Sequence, residues 1–149
     1  MGFIIIILLI FILDDKIKEY IENTKEMHKK ETILKGNIII ERYHNKGAML
    51  NFLENNTNVV KYISGFLLLL LSIVFLFLLP KKGRILLKFS LALIIGGACS
   101  NVYDRIKKGY VVDYFSFKFL KNIIFNISDI CIFIGSGLLI IISFFSNNK

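Results

Sequence analysis

Four apolar stretches alternate with charged ones along this chain: Gly2–Leu13, Val59–Leu79, Ile85–Cys99 and Ile123–Phe145, the last interrupted by Asn126 and Asp129. About 20 helical residues cross a hydrocarbon core of roughly 30 Å. The second and fourth runs reach that length alone, and the third does so by continuing toward Tyr103. The first run spans only about 18 Å at helical rise, a length that would also suit a signal-peptide core. No Lys or Arg precedes it, no small-x-small cleavage site follows it, and Asp14-Asp15-Lys16 comes directly after. The pattern therefore predicts a membrane helix that continues past Leu13 as an amphipathic segment. The expected fold is a single membrane all-α domain over 1–149, with transmembrane helices at about 3–22, 59–79, 85–104 and 123–145.

The polar stretches carry finer signals. Residues 14–32 read as a polar helix of mixed charge, in which Asp14 and Lys18 share a face and can pair. Ile33–Tyr43 then shifts to β-type residues, and Asn45-Lys46-Gly47 is a turn signal, so a small outer β subdomain is expected at about 33–56. Gly96-Gly97-Ala98 and Ser100 let helices approach closely within a membrane. Asn101, Asp104 and Arg105 follow at i, i+3 and i+4 and can face one cavity. Gly109 breaks that helix, and Val111–Phe117 is a short strand-like piece carrying Asp113. The final helix is expected to start near Phe125-Asn126, with Asp129 about one turn inside it.

A net charge of +8 would suit nucleic acid, but the membrane supplies a simpler account. Pro80-Lys81-Lys82-Gly83-Arg84, with Lys88 just beyond, contains no acid and reads as a cytoplasmic loop by the positive-inside rule. Both termini then lie inside, while 14–58 and 104–122 face outward. The outer segments also hold basic residues, and in the first of them acids nearly cancel the charge. Cys99 and Cys131 are too few for a disulfide framework and read as small apolar residues of membrane helices. His28 and His44 lack any ligand spacing, so no metal is expected.

Beyond Glu54 the only acids are Asp104, Asp113 and Asp129, each beside a long apolar run. A carboxylate at a membrane edge is costly, because its charged form loses hydration and its neutral form must find partners. Singly, each has a structural reading: Asp129 can favour a helix dipole, and Asp104-Arg105 can meet lipid headgroups. Two such acids at facing ends of neighbouring helices suggest acid/base chemistry.

These residues also resemble a known family. GGACSNVYDRIKKGYVVDYF (96–115) and FNISDICI (125–132) are similar to lipoprotein signal peptidase, or signal peptidase II. Its pattern runs Gly-Gly-Ala, Asn-x-x-Asp-Arg, Gly-x-Val-x-Asp-Phe and Phe-Asn-x-Ala-Asp. Asn101, Asp104, Arg105, Gly109, Val111, Asp113, Asn126 and Asp129 fall on it in order. Asp14 and Lys18 resemble its Asp-x-x-x-Lys, and Asn45, Gly47 and Ala48 its Asn-x-Gly-Ala-Ala-Phe. The chain departs from the pattern at Met49-Leu50 for Ala-Phe, Ser100 for Gly, Tyr114 for Phe and Ser128 for Ala. Those departures bear on substrate preference more than on chemistry, since every carboxylate and Arg105 remain.

The resemblance implies an intramembrane aspartic peptidase with Asp113 and Asp129 as its catalytic dyad. Arg105 would hold a substrate oxygen, Asn101 and Asn126 would orient carboxylates or substrate, and Asn45 would reach substrate from the outer subdomain. Asp14, Lys18 and Asp104 would be structural support. The implied substrate is a diacylglyceryl-modified prolipoprotein, cut just before its lipidated Cys at the outer face of a bacterial inner membrane. No cofactor is implied, and a monomer in contact with membrane lipid is expected. Three other readings compete: a non-catalytic member that binds lipoproteins or signal peptides, a proton or ion relay, and a membrane-surface nucleic-acid binder. A relay would place its acids at mid-span rather than at helix ends.

Overall fold

The computed structural model describes residues 2–47, 53–120 and 123–146. Its elements in chain order are α1 (Gly2–Thr24), β1 (Glu31–Ile33), β2 (Ile38–Asn45), α2 (Thr57–Leu78), α3 (Ile85–Lys107), β3 (Val111–Phe117) and α4 (Ile127–Ser146).

Helix α3 is the centre of the bundle. It packs against α1, α2 and α4, and Leu91, Ala92, Ile94, Ile95 and Val102 are buried on it. The small residues on α3 and α4 explain how closely the two helices pack. A Cβ added at Gly135 of α4 would lie 2.7 Å from the Ser90 carbonyl oxygen, and one at Gly97 of α3 would strike the Ser128 carbonyl. The small-residue packing expected of Gly96-Gly97-Ala98 is thus an α3–α4 contact at Gly97, while Gly96 sits against Ile10 of α1. Without a hydrophobic drive between helices in lipid, such close backbone approach is what holds them together.

The strands form one antiparallel sheet in the order β1-β2-β3. The β residues expected near 33–43 supply two strands, and Val111–Phe117 joins them as the third, with Tyr43 opposite Asp113 and Asn45 opposite Val111. A register shift between Ile40 and Tyr43 separates the two halves of that ladder. Gly109, at φ +83°, turns the chain from the end of α3 into β3.

One expectation needs correction. The polar helix expected over 14–32 ends at Thr24. Arg42 of β2 reaches across and donates to the Glu22 carbonyl at 2.9 Å and the Lys25 carbonyl at 3.3 Å, satisfying the exposed end of the helix. Residues 31–33 are then drawn into the sheet. Three helices among the described residues are long and apolar enough to cross a membrane by length and composition alone: Glu54–Leu78 with its leading turn, Ile85–Lys107 and Ile127–Phe145. Helix α1 has 23 residues, but Asp14, Asp15, Lys16, Lys18 and Glu19 interrupt its apolar run. The remaining helix boundaries lie within a few residues of expectation. Pro80 follows the end of α2, and Lys88 donates to the Leu79 and Lys81 carbonyls at that helix end. Cys99 and Cys131 are free, half-buried thiols on α3 and α4.

Candidate active site

Asn126 and Asp129 build the first turn of α4 around each other. The Asp129 backbone N–H donates to Asn126 Oδ1 at 2.9 Å, and the Asn126 backbone N–H donates to Asp129 Oδ2 at 3.1 Å. This reciprocal arrangement is a capping box, with Asn and Asp in the roles usually taken by Ser/Thr and Glu/Gln. The cap fixes where the Asp129 carboxylate lies. It also leaves the Asn126 side-chain amide free to donate to Asp113 Oδ1 at 2.7 Å and to Asn101 Oδ1 at 3.2 Å.

The other two carboxylate oxygens are held as well. Asn45 donates to Asp113 Oδ2 at 3.0 Å, and Asn101 donates to Asp129 Oδ1 at 2.8 Å. Every oxygen of the two aspartates therefore accepts one hydrogen bond from an asparagine residue, and Asn126 bonds to both acids. Asp113, in β3, is 2% exposed. Burial and then the charge of Asp129 push its carboxyl up to about 8, against the opposing pull of Asn45, Lys18 and Asn126.

The aspartates line a cavity of about 140 Å³ together with Asn45, Asn101 and Arg105. The rest of its wall is apolar, from Val111, Ile123, Ile124, Phe125, Ile132 and Phe133. Arg105 enters with its Nη2 donating to the Gly47 carbonyl at 2.9 Å and its Nη1 to the Asn101 carbonyl at 3.3 Å. Its Nε is buried with no partner among the described residues. Gly47 in turn donates its N–H to Asn45 Oδ1 at 3.0 Å, closing the expected turn over the site. Ala48 and Met49-Leu50 lie outside the described residues.

Asp104 does not share the cavity with Asn101 and Arg105. It turns the other way, accepting from the Val112 N–H at 3.3 Å and pairing with Lys18 at 3.2 Å and Lys108 at 2.9 Å. Lys18 is wholly buried; it pairs with Asp14 at 2.7 Å and donates to Ser100 at 3.0 Å and Asn101 Oδ1 at 2.9 Å. Lys18, expected as structural support, is one hydrogen bond removed from Asp129 through Asn101.

Sequence reasoning missed a second polar cluster beside the site. Glu22 accepts from Tyr110 Oη at 3.0 Å and pairs with Lys108 and His44, each at 3.0 Å, while the His44 ring stacks on Tyr110. Burial works against the Lys108 ammonium, but its bonds to Asp104 and Glu22 outweigh that and hold its proton above the usual lysine range. The cluster ties the C-terminal end of α1 to β2 and to the turn after α3. No local spacing signals it, because Glu22 meets His44 22 residues away and Tyr110 88 residues away.

The fold is a membrane-type helix bundle that carries, at one end and against a small sheet, a buried carboxylate pair held by asparagines. The family model described as Signal peptidase (SPase) II matches residues 6–145. A lipoprotein signal peptidase of Alteromonas mediterranea is 36% identical, covering 100% of this chain and 84% of that protein. One of Clostridioides difficile is 31% identical, covering 100% of this chain and 99% of its own. A solved structure described as a bacterial membrane enzyme superposes with a TM-score of 0.84 at 25% identity, covering 99% of this chain and 92% of that one. The chain belongs to the signal peptidase II family.

Proposed function

We propose that this chain removes the signal peptide from diacylglyceryl-modified prolipoproteins by aspartic-type hydrolysis, with Asp113 and Asp129 as the dyad. Family membership supports the reaction, and the amide cradle around the two carboxylates supports the assignment of the residues. Two acids in one poorly solvated site cannot both ionise cheaply, so one proton stays with the pair. The ionised member takes a proton from water as the water oxygen bonds to the scissile carbonyl carbon. The protonated member gives its proton to the developing oxyanion. As the C–N bond breaks, the proton taken from water passes to the leaving amine of the lipidated Cys, and one gem-diol hydroxyl returns its proton to the other aspartate, leaving an acid product and a pair with one proton as before. The dyad titrates as a unit, so neither role is tied to one aspartate.

The other residues follow from their places around the cavity. Arg105 holds a substrate oxygen with the free edge of its guanidinium. Asn45, Asn101 and Asn126 orient the carboxylates, and the apolar wall receives the side chain before the cut. Asp14, Lys18 and Asp104 form the buried ionic support.

Helix α1 is the fourth span in this reading. Asp14 and Lys18 are wholly buried against the bundle, whereas Ile4, Ile5, Leu8, Leu9, Ile12 and Leu13 are exposed and meet lipid. The charges of Asp14 and Lys18 therefore face protein, the arrangement that membranes tolerate, while Lys16 and Glu19 are exposed and pair with each other at 2.8 Å. The chain forms one monomeric domain over 1–149 in the bacterial inner membrane. The loop at Lys81–Arg84 and both termini are cytoplasmic, and the dyad and β subdomain lie at the outer face. A lipid-modified Cys stays at the membrane surface, which accounts for a dyad at a helix end rather than at mid-span.

The deciding experiment is cleavage of a diacylglyceryl-modified prolipoprotein by purified protein in detergent. Wild type is expected to cut before the modified Cys, and Asp113→Asn and Asp129→Asn to fold without cutting. A folded wild type that leaves the substrate intact would refute the reading.

A further inference from the structure

Asp14 accepts four donors, three of them hydroxyls from three different elements. Its Oδ2 takes Lys18 of α1 at 2.7 Å, Ser100 of α3 at 2.7 Å and Ser128 of α4 at 2.6 Å. Its Oδ1 takes the Tyr114 hydroxyl of β3 at 2.9 Å. Asp14, Ser100 and Ser128 are at most 1% exposed, and Tyr114 is 4% exposed. None of the four lines the cavity.

Each hydroxyl belongs to the sequence neighbour of a site residue. Ser100 precedes Asn101, Tyr114 follows Asp113, and Ser128 precedes Asp129. On β3 the alternation of side chains sends Asp113 to the cavity and Tyr114 to the opposite face. The Tyr114 oxygen has a second duty, accepting the Ile127 backbone N–H of α4 at 3.0 Å. One carboxylate on α1 thus ties down, one residue away from each, the three segments that bring Asn101, Asp113 and Asp129 together.

The geometry points to Asp14 as a positioning residue of the dyad, acting through the hydroxyls of Ser100, Tyr114 and Ser128. This inference rests on the peptidase reading above and adds what sets the spacing of its acids. A carboxylate has lone pairs for about four donors, so the set saturates it. A buried anion with all its donors in place holds their geometry tightly, because losing any one leaves charge poorly solvated. Misplacing reacting groups by about 1 Å can cost on the order of 100-fold in rate.

The test compares Tyr114→Phe, Ser128→Ala and the double variant with wild type on a diacylglyceryl-modified prolipoprotein in detergent, measuring kcat, KM and the pH profile of kcat. Ser90→Ala is the control, a buried serine of α3 whose hydroxyl, among the described residues, donates within its own helix to the Leu86 carbonyl. Each single change is expected to lower kcat about 10-fold and the double variant about 100-fold, with KM little changed. The alkaline limb of the profile should move to lower pH, because carboxylates that drift apart repel less and the second one ionises sooner. Loss of folded protein would lower the amplitude but leave that limb in place. Asp14→Asn is expected to show the same shift, and if it fails to fold the hydroxyl variants still decide. Folded variants with wild-type kcat and an unmoved limb would reduce Asp14 to a packing role while leaving the peptidase reading intact. A wild type that does not cut would overturn both.

Discussion

Asn45 and Asp113 sit on adjacent strands, 68 residues apart in sequence, with the Asn45 amide donating to Asp113 Oδ2 at 3.0 Å. Through this bond a side chain of β2 holds one oxygen of Asp113 directly. It favours the ionised carboxylate, opposing the burial that raises the Asp113 carboxyl to about 8. Asn45→Ala should therefore raise that value further and carry the alkaline limb of the rate profile upward. Loss of a bond to a charged group should also lower kcat/KM roughly 10-fold. A pH–rate profile of the variant checks both.

Stability should carry the same signature with a definite sign. Burial and the charge of Asp129 raise the Asp113 carboxyl to about 8, so the folded pair keeps a proton over a range where an unfolded Asp, ionising near about 3.9, has lost it. The folded chain then binds more protons across that window, so the pair's contribution to stability is greatest below about pH 4 and falls as pH rises toward about 8. Asp113→Asn should gain stability relative to wild type over the same range, by on the order of a few kcal/mol. Thermal unfolding in detergent at a series of pH values reads the difference.

Lys18 is the buried cation between Asp14, Asp104 and Asn101. Lys18→Met keeps much of the volume and removes the charge, leaving two buried carboxylates short of a partner. A loss of about 3–5 kcal/mol is expected. A melting temperature within a degree of wild type would show that those carboxylates find protons or other cations instead.

The α3–α4 contact at Gly97 has no room for a methyl group. Gly97→Ala should push the start of α4, and with it Asn126 and Asp129, away from α3, at a cost of about 1–3 kcal/mol and most of the activity. Gly65→Ala, on a face of α2 with nothing within 4 Å, should leave activity unchanged and gain up to about 1 kcal/mol from helix propensity.

Orientation is open to a chemical check. A cysteine placed in the loop at Lys82 should resist a membrane-impermeant thiol reagent added to intact cells, and one placed at Lys35 should react readily. The opposite pattern would invert the topology.

Much of the site was legible before folding because its signals are local. The spacing of Asn126 and Asp129 is that of a cap, and Gly109 marks the turn into β3. The shared facing of Asn101 and Arg105 also follows from helical period. Asp104 escaped the same logic. Its position on the helix allowed the cavity, but Lys18, Lys108 and the Val112 N–H drew it to the other side. The end of α1 escaped too, since Arg42 caps its carbonyls from a strand.

By itself the sequence determined the apolar runs, the positions of the few acids among them and the ordered motif of the family, all of which depend on neighbours within a turn or two. Only the tertiary structure decided what the departures from that motif do. Ser100, Tyr114 and Ser128 each add a hydroxyl where the pattern has none, and read singly they suggested altered substrate preference. Folded, they leave the cavity wall and converge on Asp14 from 86, 100 and 114 residues away. Contacts of that range are set by how α1, α3, α4 and β3 pack around one buried charge, and no local spacing records them.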